Sequence, residues 1–137
     1  MTPTDLRIGN YVYYEHTTHI VSGVHGNKVY SWWVKDGEPV IEYEAKDISG
    51  TQVENPYMDV INQYEPIPLT EEWLLKFGGT YKSYGYGDDE WKSWNINGFS
   101  FRQNGKGITF TLGDNDIDYV HELQNLFYVL KKELKLK

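Results

Sequence analysis

The residues able to do chemistry are four histidines, a run of alternating aspartates, a tryptophan pair and a tyrosine-rich acidic stretch. His16, His19 and His25 are metal-ligand types. Zinc needs three or four convergent donors and hydrogen bonds that orient them; in a turn-rich β region without cysteine, such histidines belong at the surface. Asp114, Asp116 and Asp118 alternate as in the opening of a calcium loop. That loop requires Gly at its sixth position and Glu at its twelfth, where Tyr119 and Asn125 stand here. His121 has the chemistry of a general base, but no nearby Ser, Cys or paired acid completes a site around it. Gly85 and Gly87 lack the third Gly or the Lys-Ser/Thr of a phosphate loop. The expectation is a chain with no catalytic residue, no metal and no cofactor, and so not an enzyme.

Two aromatic groups remain, and both suit binding. Trp32 and Trp33 are consecutive, so in a strand they point to opposite faces, one inward and one outward. An outward Trp among tyrosines can stack a base or sugar or anchor a protein contact. Tyr84 and Tyr86 alternate with glycines and are followed by Asp88, Asp89 and Glu90. Residues 81–90 read as an exposed, mobile loop of the kind used in protein recognition. Trp32, Trp33, Tyr84, Tyr86, Asp88, Asp89 and Glu90 are therefore the candidate protein-binding residues.

The scaffold that positions them is clearest over residues 64–79. Pro66 and Pro68 hold the chain extended. Thr70 stands at an N-cap, and Glu71 and Glu72 put negative charge at the positive end of the helix dipole. Leu69 and Leu74 have the spacing of a hydrophobic staple, and Gly78 suits the left-handed residue that ends a helix. About two turns cannot persist alone, so Trp73, Leu74 and Phe77 must be buried.

Before this helix, strands are predicted over 6–15, 19–24, 28–34 and 39–43. A bulge or turn falls near Gly9, and Asp36-Gly37 marks a hairpin. Residues 47–57 read as loop, and 58–64 can close the unit. After it, residues 91–96, 99–103 and 108–112 form a three-stranded meander, with a type I′ turn at Asn97-Gly98. A terminal helix runs from 117 to about 134, with Val120, Leu123, Phe127, Leu130 and Leu134 as its apolar stripe and Asp116 or Asp118 capping its start. The fold class is α+β: an N-terminal SH3-like small β-barrel or curved sheet over 1–65, then a short central helix, a β-meander and a C-terminal helix over 66–137.

Composition narrows the partner. Residues 1–66 hold four Lys/Arg against ten Asp/Glu, whereas residues 67–137 hold nine against ten, so the acidity lies in the first half. This disfavours direct non-specific nucleic-acid binding and suits a basic protein surface. The absence of cysteine fits a reducing compartment, here the cytoplasm. No apolar run approaches the length of a membrane span, and the N-terminus has no signal-peptide core.

Three blocks form one linear pattern: Leu6-Arg7-Ile8-Gly9-Asn10-Tyr11-Val12; Pro66-Ile67-Pro68-Leu69-Thr70-Glu71-Glu72-Trp73-Leu74-Leu75-Lys76-Phe77-Gly78; and Tyr119-Val120-His121-Glu122-Leu123-Gln124-Asn125-Leu126-Phe127-Tyr128-Val129-Leu130. The pattern covers about a quarter of the chain. It resembles a family of small proteins carried by phages, prophages and conjugative elements of Bacteroides-like bacteria, a family with no agreed activity. The resemblance implies a mobile-element setting and transfers no catalytic residue. In that setting the expected function is non-catalytic binding of a host protein, such as anti-CRISPR inhibition of a basic type VI RNA-targeting nuclease in the bacterial cytoplasm. The alternative is a single-stranded nucleic-acid-binding accessory module with an aromatic β-face.

Overall fold

The computed structural model describes residues 5–43, 54–104, 107–110 and 115–130. The chain divides into two compact units, Met1–Ile67 and Pro68–Lys137. Each consists mainly of antiparallel strands, and the two described α-helices lie in the second.

The first unit contains β1 (Tyr11–Tyr14), β2 (Thr17–His25), β3 (Lys28–Lys35), β4 (Glu38–Val40), β5 (Tyr57–Val60) and β6 (Tyr64–Glu65). The strands lie in the order β4-β3-β2-β1-β6. β5 shares the outer edge of β3 with β4, pairing with residues 28–31 where β4 pairs with 33–35. The expected barrel does not close among the described residues. Its two ends are the short strands β4 and β6, which pair inward only and remain edges. The predicted loop over 47–57 lies largely outside the described residues.

Turn chemistry explains most of the connections. Asp36 and Gly37 both take positive φ, as a type I′ hairpin requires. Glu15 and His16 do the same between β1 and β2, without a glycine. The first predicted strand is shortened because the chain turns at Gly9 (φ 95°). The Gly9 N–H donates to the Val21 carbonyl, and the Val21 N–H donates to the Asn10 carbonyl. One sheet face then buries Val12, Val21 and Val29 with Leu6, Ile61 and Tyr64. Alternation along the strands is what collects these residues on one side.

The second unit contains α1 (Glu71–Lys76), β7 (Thr80–Tyr84), β8 (Trp91–Ile96), β9 (Phe99–Asn104), β10 (Gly107–Phe110), β11 (Asn115–Ile117) and α2 (Val120–Val129). Its sheet runs β11-β10-β9-β8-β7, a meander of five strands among the described residues rather than the three expected. Residues 81–84, read as the start of a loop because of the nearby glycines, belong to β7, which pairs fully with β8. The turn at Asn97-Gly98 has the positive φ pair expected of it.

The α1 signals operate as predicted. Thr70 Oγ1 accepts from the Trp73 N–H at 3.5 Å. Gly78, at φ 81°, donates to the Leu75 carbonyl, and Gly79 donates to the Leu74 carbonyl, both at 2.9 Å. These two bonds make a Schellman ending. Trp73, Leu74 and Phe77 are buried. Trp94, Ile96, Phe101, Ile108 and Ile117 join Val120, Leu123 and Phe127 among the buried residues of this unit. The Phe127 ring contacts Phe99 and Phe101, which seats α2 on the sheet. The cap of α2 differs from expectation. Neither Asp116 nor Asp118 supplies it; the Glu122 carboxylate reaches back to the N–H groups of Asp118 and Tyr119 at 3.2 and 3.0 Å. Glu122 is the third helical residue, the position from which a side chain meets the backbone before the helix. Leu134 lies outside the described residues.

Candidate functional site

The β7–β8 hairpin carries the most organised exposed group. Tyr84 ends β7 directly opposite Trp91, which begins β8. The two rings stack with centroids 4.6 Å apart and planes 20° from parallel. Arg102, on β9, holds its guanidinium 4.4 Å from the Trp91 ring centroid and donates to Asn104 Oδ1 at 3.3 Å. Since β8 lies between β7 and β9, Trp91 is flanked by a tyrosine on one side and a guanidinium on the other. Lys82, Ser93, Arg102, Thr109 and Asp116 form the adjoining cross-strand row. No carboxylate among the described residues pairs with Arg102.

The turn beyond this stack is structured. Gly87–Asp89 forms a 3-10 turn in which the Asp89 N–H donates to the Tyr86 carbonyl at 3.1 Å. Gly85 has φ 80°, and a Cβ there would stand 2.4 Å from the Asp89 carbonyl oxygen. Only glycine lets the turn fold back this closely. Tyr86 is 93% exposed at its tip, beside exposed Asp89 and Glu90. The 3-10 turn includes Asp88.

The tryptophan pair separates as strand alternation requires. Trp32 is 6% exposed and Trp33 is 38% exposed, so only Trp33 offers a surface to a partner. Trp33 stands opposite His19 across the β2–β3 ladder.

The three N-terminal histidines do not converge. His16 lies in the β1–β2 turn and His25 ends β2, with eight residues and about 30 Å of strand between them. His19 is buried instead, and it forms a polar chain that sequence reasoning missed. Its Nδ1 lies 2.9 Å from Ser31 Oγ, which lies 2.9 Å from Tyr64 Oη; Tyr64 in turn donates to the Val29 carbonyl at 3.2 Å. With the proton on Nδ1, His19 donates to Ser31, Ser31 to Tyr64 and Tyr64 to the backbone, so each donor in the line finds an acceptor. Burial holds the His19 imidazole down, to about 4, and pushes the Tyr64 phenol up. Ser31 is wholly buried and His19 almost so, which leaves no approach for a substrate to this serine–histidine pair in the folded conformation.

Two tyrosine rings pack on the histidine of that chain. Tyr14 and Tyr57 stand edge-on to His19 and tilted to each other, with centroids 5.1 to 6.1 Å apart. The Tyr14 hydroxyl donates to Asp59 Oδ2 at 2.9 Å, and this bond above all pushes the phenol up to about 12. The partners come from β1, β2, β3, β5 and β6, and no local motif announces them.

Of the remaining candidates, His121 is buried on α2 and its ring stacks on Tyr119. Asp116 accepts from Thr109 Oγ1 at 3.0 Å, and Asp114 lies outside the described residues. No group of three His, Cys, Asp or Glu able to hold a metal occurs among the described residues. No family model, curated protein or solved structure matches the chain.

Proposed function

We propose that this is a non-catalytic protein-binding protein whose contact surface is the Tyr84–Trp91–Arg102 stack with Tyr86 at its tip. The stack carries the proposal: Trp, Tyr and Arg are the residue types that dominate binding energy in protein interfaces. Here they are already packed against one another, so a partner orders little on docking. Asp89 and Glu90 beside Tyr86, with the acid excess of the first half, favour a basic partner. Together with the resemblance to mobile-element proteins, this supports inhibition of a basic host defence nuclease, an anti-CRISPR-like role in the bacterial cytoplasm with a type VI RNA-targeting effector as the model target. We also read the first unit as a curved sheet of SH3-like kind, which its succession of short antiparallel strands and tight turns supports.

One observation favours a second function. Lys82 and Arg102 lie in one row beside Trp91, a combination that suits a single strand of nucleic acid. Affinity capture from a related host lysate expressing such nucleases, beside a mobility-shift assay with single-stranded RNA and DNA, separates the two. The expected result is one stoichiometric, salt-sensitive protein partner whose capture is lost with Arg102→Ala, and no shift. A shift abolished by Arg102→Ala, without a protein partner, would instead establish nucleic-acid binding.

A further inference from the structure

The aromatic group of the first unit borders a carboxylate that has no cationic partner among the described residues. Asp59 is half-buried on β5. Its Oδ2 accepts from Tyr14 and its Oδ1 from the Val60 N–H at 2.8 Å, so the carboxylate is held in one orientation. Among the described residues no lysine or arginine pairs with it. The described ion pairs, Lys76 with Glu72 and Lys92 with Glu71, both belong to the second unit. The carboxylate is half-open to solvent and its oxygens keep lone pairs for a further donor, so a cation can reach it.

The surroundings define the missing group. Tyr57 is 40% exposed, and its ring touches those of Tyr14 and His19. Trp33 lies on the same sheet face: it follows Ser31 by two residues on β3, and Ser31 is the residue opposite Tyr57. Trp33 makes no ring contact among the described residues and is itself exposed. Tyr57 is two residues from Asp59 on β5 and Trp33 lies further along the same face, so a long cationic side chain that crosses both open rings ends at the fixed carboxylate, attracted by ring quadrupole and charge. His19 cannot serve, since burial keeps it neutral at ordinary pH.

We propose that Trp33, Tyr57 and Asp59 form a receptor for one cationic side chain, an arginine or lysine presented by a basic protein. The excess of acids in residues 1–66 supplies the matching long-range attraction. This site belongs to the first unit alone and stands whether or not the Tyr84–Trp91–Arg102 surface proves to bind a protein.

The test uses the full chain and short blocked peptides with a central arginine, lysine or citrulline, followed by amide and indole nuclear magnetic resonance shifts. Citrulline keeps the shape of arginine and removes its charge. The arginine or lysine peptide is expected to give saturable shifts centred on Trp33, Tyr57 and Asp59, with the citrulline peptide at least about tenfold weaker. Asp59→Asn and Tyr57→Ala should each weaken binding, with Tyr57→Phe close to the wild type; circular dichroism identifies any variant that fails to fold. Asp59→Asn, which keeps the shape of the side chain, decides the matter if Tyr57→Ala unfolds. Absence of saturable shifts with both cationic peptides, or equal binding of the citrulline peptide, would overturn the proposal.

Discussion

At the scale of residues, His19 has the sharpest physical consequence. Its ring is packed among Tyr14, Tyr57 and Ser31, with the Asp59 carboxylate reaching the group only through Tyr14. Burial lowers its folded value from the usual 6.5 to about 4. Between those values the unfolded chain binds a proton that the folded chain refuses. Stability should therefore fall as pH drops through 6.5 towards 4 and level off below, by roughly 2–3 kcal/mol from this group. Urea denaturation at stepped pH measures the slope, and His19→Gln should remove its share while the carboxylates keep theirs. An unchanged slope in the variant would mean that the folded protein accepts a proton at His19 with ease. This polar chain was hidden in the sequence because its members are far apart along it, 12 residues from His19 to Ser31 and 33 from Ser31 to Tyr64. No periodicity marks a serine as the bridge between a histidine and a tyrosine. The Trp32-Trp33 pair was legible, since alternation alone sends one ring inward and the other outward.

At the scale of elements, local chemistry decided most outcomes. The two prolines, Thr70, the paired glutamates and Gly78 specify α1 within one short stretch. Asn97-Gly98 and Asp36-Gly37 specify their hairpins for the same reason, because glycine accepts positive φ at no steric cost. Glu15-His16 adopts the same turn without such a residue, so its tertiary pairing, Tyr14 with Thr17, must impose the backbone. β7 was obscured by Gly85 and Gly87, which belong to the turn after it. Its strand identity comes from pairing with Trp91 and Trp94, a non-local property. Gly79 shows how tightly α1 is joined to the sheet. A Cβ there would lie 2.8 Å from the Leu74 carbonyl oxygen, which already accepts the terminal hydrogen bond, and 3.1 Å from the Trp94 ring. Gly79→Ala should destabilise the protein by about 2 kcal/mol, read from the denaturation midpoint. A neutral or stabilising effect would show that the helix end can shift away from the sheet.

At the scale of the molecule, two compact units each present an aromatic group with exposed rings. In the first, Tyr57 lies two residues from the Asp59 carboxylate with Trp33 further along the same face; in the second, Tyr84 and Trp91 stack beside Arg102. The first group carries a carboxylate, whereas the second carries a guanidinium with Asp89 and Glu90 exposed in the turn beyond it. The fold class was readable because turn signals and apolar periodicity are local. The edges left open among the described residues of the first sheet were not, since closure depends on how far β4 and β6 extend. The candidate surface was half legible: Tyr84 and Tyr86 stood out by composition, whereas Trp91 and Arg102 read as ordinary strand residues until the ladder placed them side by side.

The central claim is that the Tyr84–Trp91–Arg102 stack docks a protein. Its most direct test is calorimetric titration of the purified partner with wild-type chain and with Trp91→Ala, after circular dichroism confirms that the variant is folded. A one-to-one complex is expected for the wild type, with at least about a thirtyfold loss of affinity for the variant, as befits a central interface tryptophan. Equal affinity of a folded Trp91→Ala protein would contradict it and place the contact elsewhere on the molecule.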